Sequence, residues 1–501
     1  MESDLPNPFL AFPSEILQRI LFYSIISRIN YSRGFPLGTS RALNLRLVCK
    51  RFDALFQSAL FETKHLDDIK PCGSAYQPTG TLEYWPSTRK PAAQKLWHSY
   101  LVYRVLNEVD PSVKRYVEVR GIANVICSET GADFHQTIKD LCWLGLAYQL
   151  GSTWPVPYDG HVPQPPAPKN NSPDVSLLSA AAYLGCISLT KRLLESGNDP
   201  TEHDMLFPCP MEAAALAGQV ATLKLCQDNV PVREDKYLFY HPVLEEVLRI
   251  KGTFPFAIAG AASGGNMDVL DIAIRPDRLD STADDVPAHR GVSHQSLRFA
   301  KTWAVFLKLL SFLPPGYLEE DAGLGVTRLG ITNGGSLLCY FVERGNFEIV
   351  KGLLDAGAPV TGYHWHLDTF PLWSAARNGY DDIVDLLLEH GADVNQRTHI
   401  CSTVGAAVRS GSITIVRKLL SKGGNFRIEA TQQALIMEDV PMLELLLDHL
   451  DAQDRICHIL AESLFELASK RGMMHMWIFV LEYMYPRLEL NLGTDSEGED
   501  E

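Results

Sequence analysis

The sequence predicts an all-α chain: a short N-terminal helical motif, a helical connector and a long solenoid of stacked helix pairs. Three observations carry this. Glycines recur at Gly185, Gly218, Gly265, Gly345, Gly379, Gly411 and Gly472, with 33 residues between the first two and 34 and 32 between Gly345, Gly379 and Gly411. Counting each glycine as zero, apolar pairs recur at +4/+5 and +8/+9, as in Ile349/Val350 with Leu353/Leu354 and Ile415/Val416 with Leu419/Leu420. Small pairs precede the glycines: Ala181-Ala182, Ala214-Ala215, Ala261-Ala262 and Ala375-Ala376. A period near ~33 residues marks a repeat array, because one helix pair cannot bury its apolar face alone and must stack on a neighbour.

Each element follows from local chemistry. Residues 1–65 form the first motif. Pro13 suits a helix start and Glu15 its positive first turn. Ile16, Ile20 and Tyr23 or Ser24 share one face, with Leu17 and Leu21 beside it. A polar spacer, Arg28 to Ser40, leads to a second apolar run from Leu43 to Leu55, then Ala59-Leu60-Phe61. These helices are too few to bury an ample core, so their surplus apolar surface implies a partner. Residues 66–154 read as a helical connector, clearest over Leu96–Val109. Residues 155–173 hold seven prolines and read as a linker.

The solenoid is expected over 174–486. Its second helices carry the +4, +5, +8, +9 stripe, and further glycines at +12 (Gly197, Gly357, Gly391, Gly423) close them. Cys226/Gln227 breaks the stripe, and Glu438 stands where one glycine is missing. Residues 275–335 match poorly, with Phe306–Leu310 as a possible second helix and Asp277–Ser293 as a polar insertion. Residues 487–501 read as an acidic disordered tail.

Composition narrows the function. Of 501 residues, 46% are hydrophobic and 21% charged, an ordinary globular balance. The net charge of −15 argues against general nucleic-acid binding. No apolar run approaches the ~20 residues that span a bilayer, so no membrane partner is expected. The ten cysteines form no C-x-x-C pair, and the N-terminus has neither a basic n-region nor a long apolar stretch. A reducing cytoplasmic or nuclear location is the expectation.

No phosphate-binding G-x-x-x-x-G-K-[ST], no H-E-x-x-H and no G-x-S-x-G is present, so no catalytic residue, metal ligand or cofactor is assigned. His364-Trp365-His366 lacks the further ligands that a metal needs.

The run Pro371-Leu372-Trp373-Ser374-Ala375-Ala376-Arg377-Asn378-Gly379, followed by Gly391-Ala392-Asp393-Val394-Asn395, resembles the ankyrin repeat. Trp373 stands where that family usually has His. The resemblance implies a protein-binding surface of loop tips and exposed first-helix positions. Candidate target contacts are Tyr363, His364, Trp365, His366, Trp373, Arg377, Asn378, Arg397, His399 and Arg409, with Trp373 equally able to be a core residue.

At the other end, Phe12-Pro13-Ser14-Glu15-Ile16, Ile20-Leu21 and Leu43-Asn44-Leu45-Arg46-Leu47-Val48-Cys49-Lys50-Arg51-Phe52 resemble the F-box, with a long spacer between the halves. That resemblance implies docking on the Skp-type adaptor of an SCF cullin–RING ubiquitin ligase. The candidate contacts are Pro13, Ile16, Ile20, Leu21, Leu45, Leu47, Val48 and Phe52, some of which must instead be core. The two resemblances together imply a substrate-recognition subunit that binds an unknown protein target; N-terminal F-box plus ankyrin repeats also looks like a fungal arrangement. The alternative is a non-catalytic ankyrin scaffold whose N-terminal helices only cap the array.

Overall fold

The computed structural model describes residues 13–30, 50–64, 66, 91–111, 113–151, 173–202, 206–230, 255–274, 292, 294–313, 333–361, 370–396, 401–451, 458–470 and 472–494. The described residues are overwhelmingly helical and contain no strand. Two compact units emerge, residues 66–333 and residues 1–65 with 334–501.

In the N-terminal segment, α1 (Ser14–Asn30) packs on α2 (Lys50–Glu62). Leu17 and Leu21 of α1 are fully buried, as are Phe56, Ala59, Leu60 and Phe61 of α2 to within a few per cent. Gln18 Nε2 donates to Ser58 Oγ at 3.1 Å and to Glu62 Oε2 at 3.4 Å. Helix α1 extends to Asn30, three residues into the expected spacer. Residues 31–49, including most of the second half of the motif, lie outside the described residues.

In residues 66–333, α3 (Pro91–Asn107), α4 (Lys114–Thr130) and α5 (Phe134–Gly151) pack on one another. Their apolar faces do not form a separate core. Val105, Tyr116, Ile122, Ile126, Ile138, Leu141 and Leu144 join one buried cluster with Leu178, Leu189, Leu193 and Phe207 of the first repeats. The segment expected as a connector therefore supplies one end of the repeat core. The end of α3 is fixed by a buried ion pair. Arg104 holds Glu108, donates to the Tyr100 hydroxyl at 3.0 Å and lies 4.6 Å over the Tyr116 ring. Glu108 in turn accepts from the amides of Val109 and Asp110 at 3.1 and 3.0 Å. Pairing and hydrogen bonding of this kind help to make a buried charge tolerable.

The repeats of this unit are α6 (Pro173–Tyr183) with α7 (Ile187–Glu195), α8 (Pro210–Leu216) with α9 (Val220–Asp228), α10 (Pro255–Gly264) with α11 (Met267–Ile274), and α12 (His294–Leu297) with α13 (Trp303–Leu310). The last pair forms inside the stretch that matched poorly in sequence, and its second helix contains Phe306–Leu310 as expected. Gln227, which breaks the apolar stripe, is still buried, and its amide donates to the Ile272 carbonyl at 3.3 Å.

Residues 334–501 continue with α14 (Asn333–Arg344) and α15 (Phe347–Asp355), α16 (Pro371–Asn378) and α17 (Asp381–Glu389), α18 (Thr403–Ser410) and α19 (Ile413–Ser421), α20 (Ile428–Ile436) and α21 (Val440–Asp451), and α22 (His458–Lys470) and α23 (Met474–Thr494). Helix α23 runs to Thr494, eight residues past the expected boundary at 486; residues 495–501 lie outside the described residues.

One joint recurs throughout. Gly379 has φ +67°, its amide donates to the Ala376 carbonyl at 3.1 Å, and the Tyr380 amide donates to the Ala375 carbonyl at 3.0 Å. A left-handed residue here satisfies the helix's last carbonyls. At the position lacking glycine, Glu438 adopts φ +56°, its amide donates to the Leu435 carbonyl at 3.0 Å, and the Asp439 amide donates to the Ala434 carbonyl at 3.1 Å.

Candidate functional site

Two surfaces carry the sequence-derived candidates. On α1, Ile16 is 45% exposed, Ile20 is half-buried and Pro13 is exposed. Leu21 is different: it is fully buried in the α1–α2 contact, so it belongs to the core of the hairpin and is not an adaptor contact. On a lone helix, Leu17 and Leu21 cannot be told from Ile16 and Ile20 until the partner helix is placed. Tyr23, 66% exposed, lies seven residues after Ile16 and extends the same outward face. Its spacing was visible in the sequence, but its aromatic character drew no assignment as a contact. Leu45, Leu47 and Val48 lie outside the described residues. Phe52 lies on α2.

The second surface lies along the first helices α16 and α18. Trp373, expected as a target anchor, is 2% exposed. Its Nε1 donates to the Cys401 carbonyl of the next repeat at 3.1 Å, so it is a packing residue that ties two repeats together. The sequence left this large ring as either a surface anchor or a core residue; here it fills the joint and keeps one polar atom satisfied. Arg377 sits with its guanidinium carbon 5.3 Å from the Trp373 ring centroid and remains partly exposed. Asn378 donates to the Ser374 carbonyl of its own helix at 2.9 Å. Arg409 occupies in α18 the place of Arg377 in α16, two residues before the glycine. Tyr363, His364, Trp365, His366, Arg397 and His399 lie outside the described residues.

Burial pushes the Cys142 and Cys226 thiols up to about 12, and Cys209 and Cys339 well above their ordinary value. Cys401 is also raised, because burial outweighs the opposing pull of Arg409, the Trp373 contact and Arg377. Thiols held protonated this way are poor nucleophiles. Among the described residues, no group of three His, Cys, Asp or Glu is placed to hold a metal. No described helix is long and apolar enough to cross a membrane.

Adjacent repeats are tied by polar clamps as well as by the core. Asn395 donates to the Gly423 carbonyl at 2.9 Å and accepts from the Asn425 amide at 2.7 Å. Lys418 reaches Asp381 at 2.9 Å and Asp385 at 2.7 Å across neighbouring second helices. Ion pairs this exposed contribute about 1 kcal/mol or less.

Comparison with known proteins finds three likenesses. Residues 306–398 match the family model for ankyrin repeats, in three copies. Over 89 residues the chain is 39% identical to the inactive serine/threonine-protein kinase TEX14 of Bos taurus, a stretch covering 18% of this chain and 6% of that protein. The crystal structure of the human ASB11 ankyrin repeat domain is similar at 20% identity with a TM-score of 0.30, covering 50% of this chain and 99% of that one. The helix pairs within residues 306–398 thus match ankyrin repeats, which suggests a protein-interaction role for them.

Proposed function

We propose that this chain is the substrate-recognition subunit of an SCF-type cullin–RING ubiquitin ligase. Its N-terminal segment docks on a Skp-type adaptor, and its ankyrin repeats hold a target protein. The chain performs no chemistry; it raises the effective concentration of target lysines beside the ubiquitin-charged enzyme. The observation that carries this reading is the outward face of α1. Once Leu17 and Leu21 are buried on α2, Ile16 and Tyr23 remain exposed beside Pro13 and Ile20. That face coincides with the half of the motif that resembles an F-box, and Leu45, Leu47, Val48 and Phe52 would extend it. An apolar side chain buried at such a contact stabilises it by about 1.5–3 kcal/mol. Target contact is assigned to Arg377 and Arg409 with the loop residues Tyr363, His364, Trp365, His366, Arg397 and His399.

A second reading is favoured by one observation: residues 1–65 fall in the same compact unit as 334–501. The N-terminal helices would then only cap a scaffold. Co-purification with a Skp-type adaptor separates the two. Leu47→Asp and Val48→Asp are expected to abolish recovery of the adaptor while helical circular dichroism is kept. Undiminished recovery with both variants leaves the scaffold reading.

A further inference from the structure

Two arginines stand side by side on successive first helices. Two residues before each joint in residues 334–501, the first helices carry Glu343, Arg377, Arg409, Ile436 and Lys470 in turn. Lys470 is held by Glu466 of its own helix. Arg344, one residue nearer its glycine, lies 4.1 Å over its own Tyr340 ring. Arg377 and Arg409 are both partly exposed, on α16 and α18, which pack directly on each other. Trp373, whose ring lies 5.3 Å from the Arg377 guanidinium carbon, is tied to the Cys401 carbonyl just ahead of α18. A planar guanidinium resting on a ring loses less freedom when it takes up an oxyanion. Arg409 and Arg377 both favour the Cys401 thiolate and Glu429, at the start of α20, opposes them, so the three share one neighbourhood with two positive charges against one negative. The other helical acids of the Gly345, Gly379 and Gly411 repeats, Glu343 apart, stand on second helices, where Lys418 holds Asp381 and Asp385. Asp393 accepts from the Asn395 amide of its own loop at 2.9 Å, and Asp368 lies outside the described residues.

Spacing then says what fits. Packed helices lie about 8–10 Å apart, so one register on α16 and α18 repeats at that distance. A polyproline II chain turns once in three residues and rises about 9 Å in doing so. Carboxylates at every third residue of such a chain therefore recur on one side at the spacing of the arginines. We infer that Arg377 and Arg409 hold an extended acidic segment of the target protein, one Asp or Glu carboxylate on each guanidinium, three residues apart. Each pair closes as two parallel hydrogen bonds to one carboxylate. This deepens the target-holding half of the proposed function and rests on it. The chain's net charge of −15 repels an acidic ligand at large, so the two arginines and not bulk charge select it.

The test is fluorescence anisotropy of a labelled (Glu-Pro-Pro)4 peptide titrated with the full chain up to about 500 µM, a range that covers weak peptide binding. Saturable binding is expected. A peptide of the same composition with its glutamates consecutive, and (Gln-Pro-Pro)4, are each expected to bind at least about fivefold more weakly. Arg377→Gln and Arg409→Gln are each expected to weaken binding at least about fivefold with unchanged circular dichroism. Lys351→Gln makes the same charge change at an exposed second-helix position and is expected to leave binding as it is. Glu429→Gln removes the opposing carboxylate and is expected to tighten binding. A wild type that does not bind (Glu-Pro-Pro)4, arginine variants that bind as well as wild type, consecutive glutamates that bind as tightly as spaced ones, or weaker binding by Glu429→Gln overturns the inference. No adaptor takes part, so failure here leaves the docking of α1 untouched, and failed docking leaves this site standing.

Discussion

Glu438 holds a left-handed backbone with φ +56° where seven other joints use glycine. A side chain in that conformation costs about 1 kcal/mol. Glu438→Gly is expected to stabilise the chain by about 0.5–1 kcal/mol, offset slightly by a looser unfolded chain, and urea unfolding measures it. Gly379→Ala is expected to shift stability the opposite way by about 1–2 kcal/mol. Glu212 tests electrostatics at the same scale. Burial pushes its carboxyl from 4.5 up to about 7. Its folded value lies above its unfolded one, so the stability it contributes is full below about 4.5 and is lost as pH rises toward 7 and beyond. The unfolding free energy is expected to fall by on the order of 1–3 kcal/mol between pH 5 and 8, and Glu212→Gln is expected to flatten that slope. A slope identical in both proteins would assign the dependence to other groups. Residue identity was the least legible level of the sequence. Glu438 was placed correctly because the period demanded a turn there. Trp373 and Leu21, both buried, were left between surface and core because spacing shows that a side chain shares a face and not what covers that face.

Helices α8 and α10 show why the small residues recur. A Cβ on Gly260 would lie 2.4 Å from the Glu212 carbonyl oxygen, and one on Gly264 would lie 2.5 Å from that of Leu216. The two backbones touch with nothing between them. Gly260→Ala must push α10 off α8 and is expected to cost about 1–3 kcal/mol, read as a lower denaturant midpoint. The alanine pairs announced this close approach in the sequence. The α12–α13 pair was harder to read, since it follows a polar stretch and its first helix has only four residues. The place of α3–α5 was hidden for another reason. Helical periodicity shows that a helix buries one face, but not that Ile138 and Leu141 share a cluster with Leu178 and Leu189.

At the scale of the whole molecule, each unit's helix pairs supply surface and the N-terminal segment supplies an apolar face of its own. The repeat class was legible because period, glycine joints and the Gly391–Asn395 loop agree on one architecture. The partners were not, because binding specificity rests on a few exposed side chains that no periodicity constrains. The direct measurement is calorimetric titration of the purified full chain with a purified Skp-type adaptor, beside Ile16→Asp and Tyr23→Ser. Both positions are exposed, so the fold is expected to survive their change. The account predicts saturable binding by wild type, weakened at least about tenfold by Ile16→Asp and more modestly by Tyr23→Ser. No heat of binding from wild type, or equal affinity in all three proteins, would contradict it.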